Sequence, residues 1–137
     1  MDTTAFDRQF GDLMVIVTVS LRAGYSLRQT LEIAAGLGPE PTGSVLKQWL
    51  AHLEGGDSYD EAFVQLLQDC PSPYLAQFVD VVRHHQEVGG NLALMLDEVG
   101  QHIREQVESD GALFPYIRDL CQQVAARVPE YVKAEKT

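Results

Sequence analysis

The chain has 137 residues, 45% of them apolar, and its ten basic and twenty acidic side chains give a net charge of −10. This apolar content excludes intrinsic disorder, and the length suits a single globular domain with a core of its own. The acidic balance excludes generic nucleic-acid binding, which needs a basic surface, and disfavours adsorption to anionic lipid headgroups.

A first helix is predicted over residues 5–23. Its apolar residues recur three and four positions apart, as on one face of a buried helix: Phe6, Phe10, Leu13, Met14, Val17 and Leu21. The longest apolar run of the chain lies here, between Leu13 and Leu21, and is much shorter than the roughly 20 residues that cross a bilayer. Acidic residues around its start are atypical of a secretory signal. We therefore expect no transmembrane segment and a cytoplasmic protein.

Six further segments show the same spacing. They predict helices over residues 27–36, 44–54, 59–69, 73–87, 92–109 and 114–128, followed by a frayed tail over residues 133–137. Isolated helices of this length do not persist in water, so packing between them must hold the structure. No segment alternates as a strand would. The sequence predicts an all-α fold.

A short phrase separates three pairs of these helices. It reads Gly, any residue, a small polar residue and a large apolar residue, and occurs as Gly24-Tyr25-Ser26-Leu27, Gly56-Asp57-Ser58-Tyr59 and Gly89-Gly90-Asn91-Leu92. Gly can adopt the left-handed conformation that ends a helix, and Ser or Asn can cap the next one. Gln29 and Glu61, three residues after the serine caps, predict two capping boxes.

Proline linkers alternate with these glycine turns. Pro39-Glu40-Pro41 recurs 32 residues later as Pro71-Ser72-Pro73, and the caps Ser26, Ser58 and Asn91 are 32 and 33 residues apart. Proline ends one helix and is tolerated in the first turn of the next. This spacing predicts three helical hairpins over residues 1–110. Residues 111–137 would then form a C-terminal extension with the seventh helix.

Few residues are candidates for chemistry. Glu98, His102 and Glu105 share one face of the sixth predicted helix and could contribute to a metal site if His84, His85 and Glu87 lay beside them. A solvated polar helix face explains the same residues more simply. Cys70 and Cys121 are isolated thiols without the spacing of a metal motif. We therefore expect no catalytic residue, no cofactor and no enzymatic activity, and the motif residues to be structural.

The residues around the three glycine phrases also resemble the sequence pattern of a known protein family. Three segments resemble, in order and spacing, the type II secretion system F domain. They are Leu21–Glu32; Leu53–Phe63, with Gly56, Ser58, Glu61 and Ala62; and Val88–Ala93, with Gly89, Gly90, Asn91 and the later Ile103-Arg104. The third segment is the most specific of them. The likeness extends over about residues 10–106.

That resemblance implies a compact antiparallel six-helix bundle. It also implies a non-enzymatic scaffold role in a pilus or type II/tight-adherence secretion assembly platform. It further implies contacts with the assembly ATPase, a dimer or higher oligomer, and a place on the cytoplasmic side of the inner membrane. Two features depart from the family. This chain lacks the flanking transmembrane helices, and an acidic segment, residues 105–110, stands where relatives become basic.

A helical-repeat module that binds peptides is the main alternative. The hairpin period of 32–33 residues is close to the tetratricopeptide period of about 34. The Trp-Leu-Gly-Tyr and Ala-Phe-Pro signature of that repeat is missing. Geometry distinguishes the two folds, because a solenoid stacks its hairpins side by side whereas the F-type fold closes into one bundle.

Overall fold

The computed structural model describes residues 2–37 and 39–126, in which seven helices and no strand are found. The helices are α1 (Thr4–Arg22), α2 (Leu27–Leu37), α3 (Thr42–Glu54), α4 (Tyr59–Asp69), α5 (Pro73–Val88), α6 (Leu92–Gln106) and α7 (Phe114–Ala126). The predicted all-α class is confirmed. Residues 127–128 of the seventh predicted helix and the predicted tail lie outside the described residues.

Helix α6 ends three residues before the predicted boundary at residue 109. Val107 already has an extended backbone, with φ −131° and ψ 127°. The segment that follows is bound to α1 by side chains. The Arg8 guanidinium donates to the carbonyl of Glu108 at 3.3 Å, and the Gln9 amide donates to the Asp110 carboxylate at 3.1 Å. These distant contacts replace the next helical turn, which the apolar spacing alone would have continued.

Helix α1 lies at the centre of the fold. It contacts α6 most extensively and also packs against α2, α3, α5 and α7. Its buried apolar side chains are distributed around much of its circumference, as expected of a helix with neighbours on several sides: Phe6, Phe10, Leu13, Met14, Ile16 and Val17.

A series of aromatic contacts connects four helices through the core. Phe10 of α1 meets Phe78 of α5 edge-on, with ring centroids 5.8 Å apart. Phe78 in turn contacts Phe63 of α4 at 6.4 Å, and Phe63 stacks on Trp49 of α3 at 5.6 Å. Offset and edge-on pairs of this kind stabilise beyond the area that they bury.

Two glycines bring α1 and α6 close together. A Cβ atom at Gly100 would lie 2.8 Å from the Cβ of Met14, and one at Gly11 would lie 2.9 Å from the Cγ of Arg104. This approach lets the Arg104 guanidinium donate to the backbone carbonyl of Gly11 at 2.8 Å. The first and third hairpins are thereby joined directly. Repeats of a solenoid contact only their neighbours, so this closed bundle argues against the tetratricopeptide alternative.

Helix α7 packs on α1 beyond the six-helix unit. Leu113, just before α7, is 1% exposed and belongs to the same buried cluster as Phe10. Ile117 and Leu120 are partly buried against that cluster. None of the helices in residues 2–37 and 39–126 is long and apolar enough to cross a membrane.

The antiparallel packing gives the bundle two distinct ends. The ion pairs Arg22–Asp97 and Arg83–Asp60 place the turns after α1, α3 and α5 together, and we call this the glycine end. The contacts of α1 with Glu40, Ser72 and Glu108 place the linkers after α2, α4 and α6 at the opposite end, which we call the linker end.

Candidate functional site

The first two glycine turns share one geometry. Gly24 and Gly56 have φ of +98° and +100°. At each turn the residue after the glycine donates its N–H to a carbonyl five residues earlier, Tyr25 to Ser20 and Asp57 to His52. The glycine N–H itself donates to a carbonyl three residues earlier. Both helices therefore end in a Schellman motif, which satisfies carbonyls that would otherwise be unpaired.

Both turns continue into a capping box. The Ser58 hydroxyl accepts from the N–H of Glu61 at 3.1 Å, and the Glu61 carboxylate accepts from the N–H of Ser58 at 3.1 Å. Ser26 and Gln29 exchange the equivalent bonds at 3.1 and 2.9 Å. The hydrogen bonds from the backbone and side chain of Ser58 lower the pKa of Glu61. The two serine turns therefore share the same cap hydrogen bonds.

The third turn is built differently. Gly89 has φ +82° and ψ −157°, a conformation almost confined to glycine, and Gly90 has φ +107°. Neither makes the Schellman bonds. Instead, a His85 ring nitrogen lies 3.0 Å from the Gly90 carbonyl, and the Asn91 side chain accepts from the N–H of Leu94 at 3.0 Å. Two features of the sequence indicate this difference. Gly89 and Gly90 are consecutive, and Leu94 stands three residues after the cap Asn91, where the other turns have Gln29 and Glu61.

Two apolar side chains flank this third turn in solvent. Val88, the last residue of α5, is 70% exposed, and Leu94, in the first turn of α6, is 50% exposed. Both lie off the buried stripes of their helices, Leu75-Phe78-Val79-Val82 and Ala93-Leu96-Ile103. Sequence reasoning missed this pair, because their exposure depends on the tertiary arrangement.

Carboxylates predominate at the glycine end. Glu54, Glu61, Glu87 and Glu98 are exposed there, and none forms an ion pair within the described residues. The arginines at this end are each paired with a carboxylate, in the pairs Arg22–Asp97, Arg28–Glu32 and Arg83–Asp60. The surface around the three turns is therefore negative.

The structure does not assemble the candidate metal ligands into a site. Glu98, His102 and Glu105 are all exposed on α6. In residues 2–37 and 39–126, no group of three or more His, Cys, Asp or Glu side chains is placed to hold a metal ion. His85 instead contacts the Gly90 carbonyl, whereas His84 and Glu87 are exposed.

Cys70 is not positioned as a nucleophile. Burial raises the pKa of the Cys70 thiol, which lies in the core, so the reactive thiolate is disfavoured at neutral pH. Cys121 is exposed on α7. A shallow hollow at the linker end is lined by Pro41, Ser44, Val45, Gln48 and Asp69.

The described residues thus form a closed all-α bundle with capped turns and an acidic end. Residues 16–128 match the family model of the type II secretion system (T2SS), protein F. The chain belongs to this family, and the match confirms the resemblance carried by the three glycine phrases. The family consists of non-enzymatic platform proteins of secretion and pilus systems. Comparisons with curated proteins and with solved structures found no match.

Proposed function

We propose that this chain is a scaffold domain of a pilus or type II/tight-adherence secretion assembly platform, and that it links the assembly ATPase to the inner-membrane machinery. The family match over residues 16–128, which includes all three glycine turns, is the observation that carries this proposal. A closed core with two capping boxes supports it, because a rigid body can transmit force or position between two partners.

The proposal includes a location and an assembly state. The domain would act at the cytoplasmic face of the inner membrane, as a dimer or higher oligomer. The division into an F-type bundle, residues 1–110, and a C-terminal extension, residues 111–137, belongs to the same proposal. The glycine motif residues Gly24, Gly56, Gly89 and Gly90 and the caps Ser26, Ser58 and Asn91 would maintain the architecture and leave partner contacts to exposed side chains. Helix α6, with Glu98, His102 and Glu105, would be a solvated face that holds no metal.

Binding to the assembly ATPase of the associated pilus or secretion system tests the proposal. The purified chain is immobilised, and its association with the ATPase is measured by biolayer interferometry with and without ATP. We expect saturable binding that an unrelated ATPase does not reproduce. Analytical ultracentrifugation of the chain alone reports its assembly state. A strictly monomeric chain without affinity for the ATPase in either nucleotide state would contradict the proposal.

A test in cells measures pilus assembly or secretion directly. Deleting the gene should abolish surface pili or secretion by the associated system, and re-expression of the gene should restore it. An unchanged appendage and secretion profile after deletion would place the protein outside the platform.

A further inference from the structure

The turn between α5 and α6 presents an apolar surface that nothing in the described fold covers. We define the tip patch as the side chains of Val88 and Leu94, on either side of the turn Gly89–Asn91, together with those of Glu87 and Glu98. Val88 and Leu94 are 70% and 50% exposed, although most apolar side chains of their size are buried here. A Cβ atom at Gly89 would meet nothing within 4 Å, so the turn is open to an approaching molecule.

The patch is also ordered. A His85 ring nitrogen lies 3.0 Å from the Gly90 carbonyl, and the Asn91 side chain accepts from the N–H of Leu94 at 3.0 Å. These bonds fix the turn on both sides. A partner that binds an ordered turn loses less conformational entropy than one that must order a loop.

The charges around the patch select the partner. Glu87 and Glu98 are exposed and form no ion pair within the described residues. The nearby cations Arg22 and Arg83 are already paired, with Asp97 at 4.0 Å and Asp60 at 3.1 Å. The apolar centre thus has beside it two carboxylates without ion pairs among the described residues, Glu87 and Glu98, which complement lysine or arginine side chains.

We propose that the tip patch docks a basic segment of the assembly ATPase. An apolar side chain of that segment would cover Val88 and Leu94, and flanking lysine or arginine side chains would pair with Glu87 and Glu98. This inference rests on the proposed function and assigns the ATPase contact to one surface. The other occupants are disfavoured by charge, since a second copy on a two-fold axis would oppose like carboxylates and an anionic membrane would repel them.

The apolar contact is tested by the double variant V88S/L94S against the control V64S. Val64 is also 50% exposed, but it lies on α4 outside the tip patch. We expect V88S/L94S to raise the Kd for the ATPase at least about tenfold, as loss of central apolar contacts does at interfaces, and V64S to change it less than about twofold. All three positions are exposed, and circular dichroism verifies that each variant is folded.

The charge contact is tested by E87K/E98K against D69K/D119K. Asp69 and Asp119 are exposed acidic residues outside the patch, so both doubles change the net charge by the same amount. We expect E87K/E98K to weaken binding more than the control and to reduce its dependence on salt, because the specific ion pairs are lost.

The outcomes separate this inference from the proposed function. If the wild-type chain does not bind the ATPase, both are overturned. If it binds and the tip variants bind equally well, only the docking surface is wrong. The wild-type chain is also assayed for self-association and for binding to phosphatidylglycerol vesicles. If V88S/L94S loses one of these activities and keeps its ATPase affinity, the occupant of the patch is a second copy or the membrane. Either result overturns the inference.

Discussion

Gly55 and Gly56 are neighbours in the turn after α3, yet their backbone requirements are opposite. Gly55 has φ −75°, which any residue adopts, whereas Gly56 has φ +100°. A Cβ atom would meet nothing within 4 Å at Gly56 and ordinary contacts at Gly55. Any difference between alanine variants at the two positions therefore reports backbone conformation and not packing.

We expect Gly56→Ala to lower the free energy of unfolding by about 1–2 kcal/mol, the cost of a left-handed L-residue. Gly55→Ala should be neutral or raise it by about 0.5 kcal/mol, because alanine restricts the unfolded chain. Urea unfolding followed by circular dichroism measures both. Equal effects at the two positions would mean that the Schellman turn is assigned wrongly.

Glu61 provides a pH-dependent capping contribution. Hydrogen bonds from Ser58 hold the pKa of Glu61 below its ordinary value, so the charged form is favoured in the folded state. The stabilisation is therefore complete above the pKa of an unfolded glutamate, about 4.3, and is lost as the pH falls through the lower folded value. Gln29 occupies the equivalent position at the other capping box without a charge.

The destabilisation caused by Glu61→Ala should accordingly be larger at pH 7 than at pH 3. That caused by Gln29→Ala should not change between the two. Denaturant unfolding at a series of pH values gives both curves. Parallel curves for the two variants would show that the charge of Glu61 contributes nothing to the cap.

At the scale of helices, the closest contact is the glycine crossing of α1 and α6. A methyl group at Gly100 would lie 2.8 Å from the Cβ of Met14 and 3.0 Å from a guanidinium nitrogen of Arg104. The first neighbour is near the backbone and cannot rotate away. The two helices would have to separate, which would lengthen the bond from Arg104 to the Gly11 carbonyl.

We expect Gly100→Ala to cost about 1–3 kcal/mol, in the range of overpacked cores. Gly36→Ala in α2 is the control, since a Cβ atom there meets nothing within 4 Å and alanine favours the helix. Thermal unfolding of the pair measures the difference. A stabilising effect at both positions would show that α1 and α6 tolerate a wider separation.

Helix ends were largely readable from the sequence, but helix partners were not. Gly24, Ser26 and Ser58 act through residues close in the chain, so their signals are local. The pairing of α1 with α6 depends on the close approach at Gly11 and Gly100. The apolar spacing of each helix predicts only that the helix has a buried face, not which helix covers it. The early end of α6 depends likewise on Arg8 and Gln9, far from it in sequence.

For the molecule as a whole, the relation of α7 to the bundle decides where the folding unit ends. Leu113 is 1% exposed and lies in the common core, whereas its neighbour Phe114 is 53% exposed. We expect Leu113→Ala to cost about 2–5 kcal/mol, as for other buried leucines, and to lower the single unfolding transition of the chain. Phe114→Ala should have little effect.

Calorimetry of both variants makes this test. If Leu113→Ala leaves the main transition unchanged, residues 111–137 form an extension independent of the bundle. The sequence predicted the helical spacing of Leu113, Ile117 and Leu120 correctly. It could not show the helix on which they pack, nor that Val88 and Leu94 stay in solvent, because both depend on the tertiary arrangement.

The α1–α6 crossing also constrains how the chain folds. The hydrogen bond from Arg104 to Gly11 connects residues 93 positions apart. Before this contact forms, the chain must close a long loop, whose entropic cost grows with the logarithm of its length. The three hairpins cannot therefore complete the fold one after another, as stacked repeats do. Refolding should be slower than in bundles with only local contacts, and hydrogen exchange in α1 and α6 should report one common opening event.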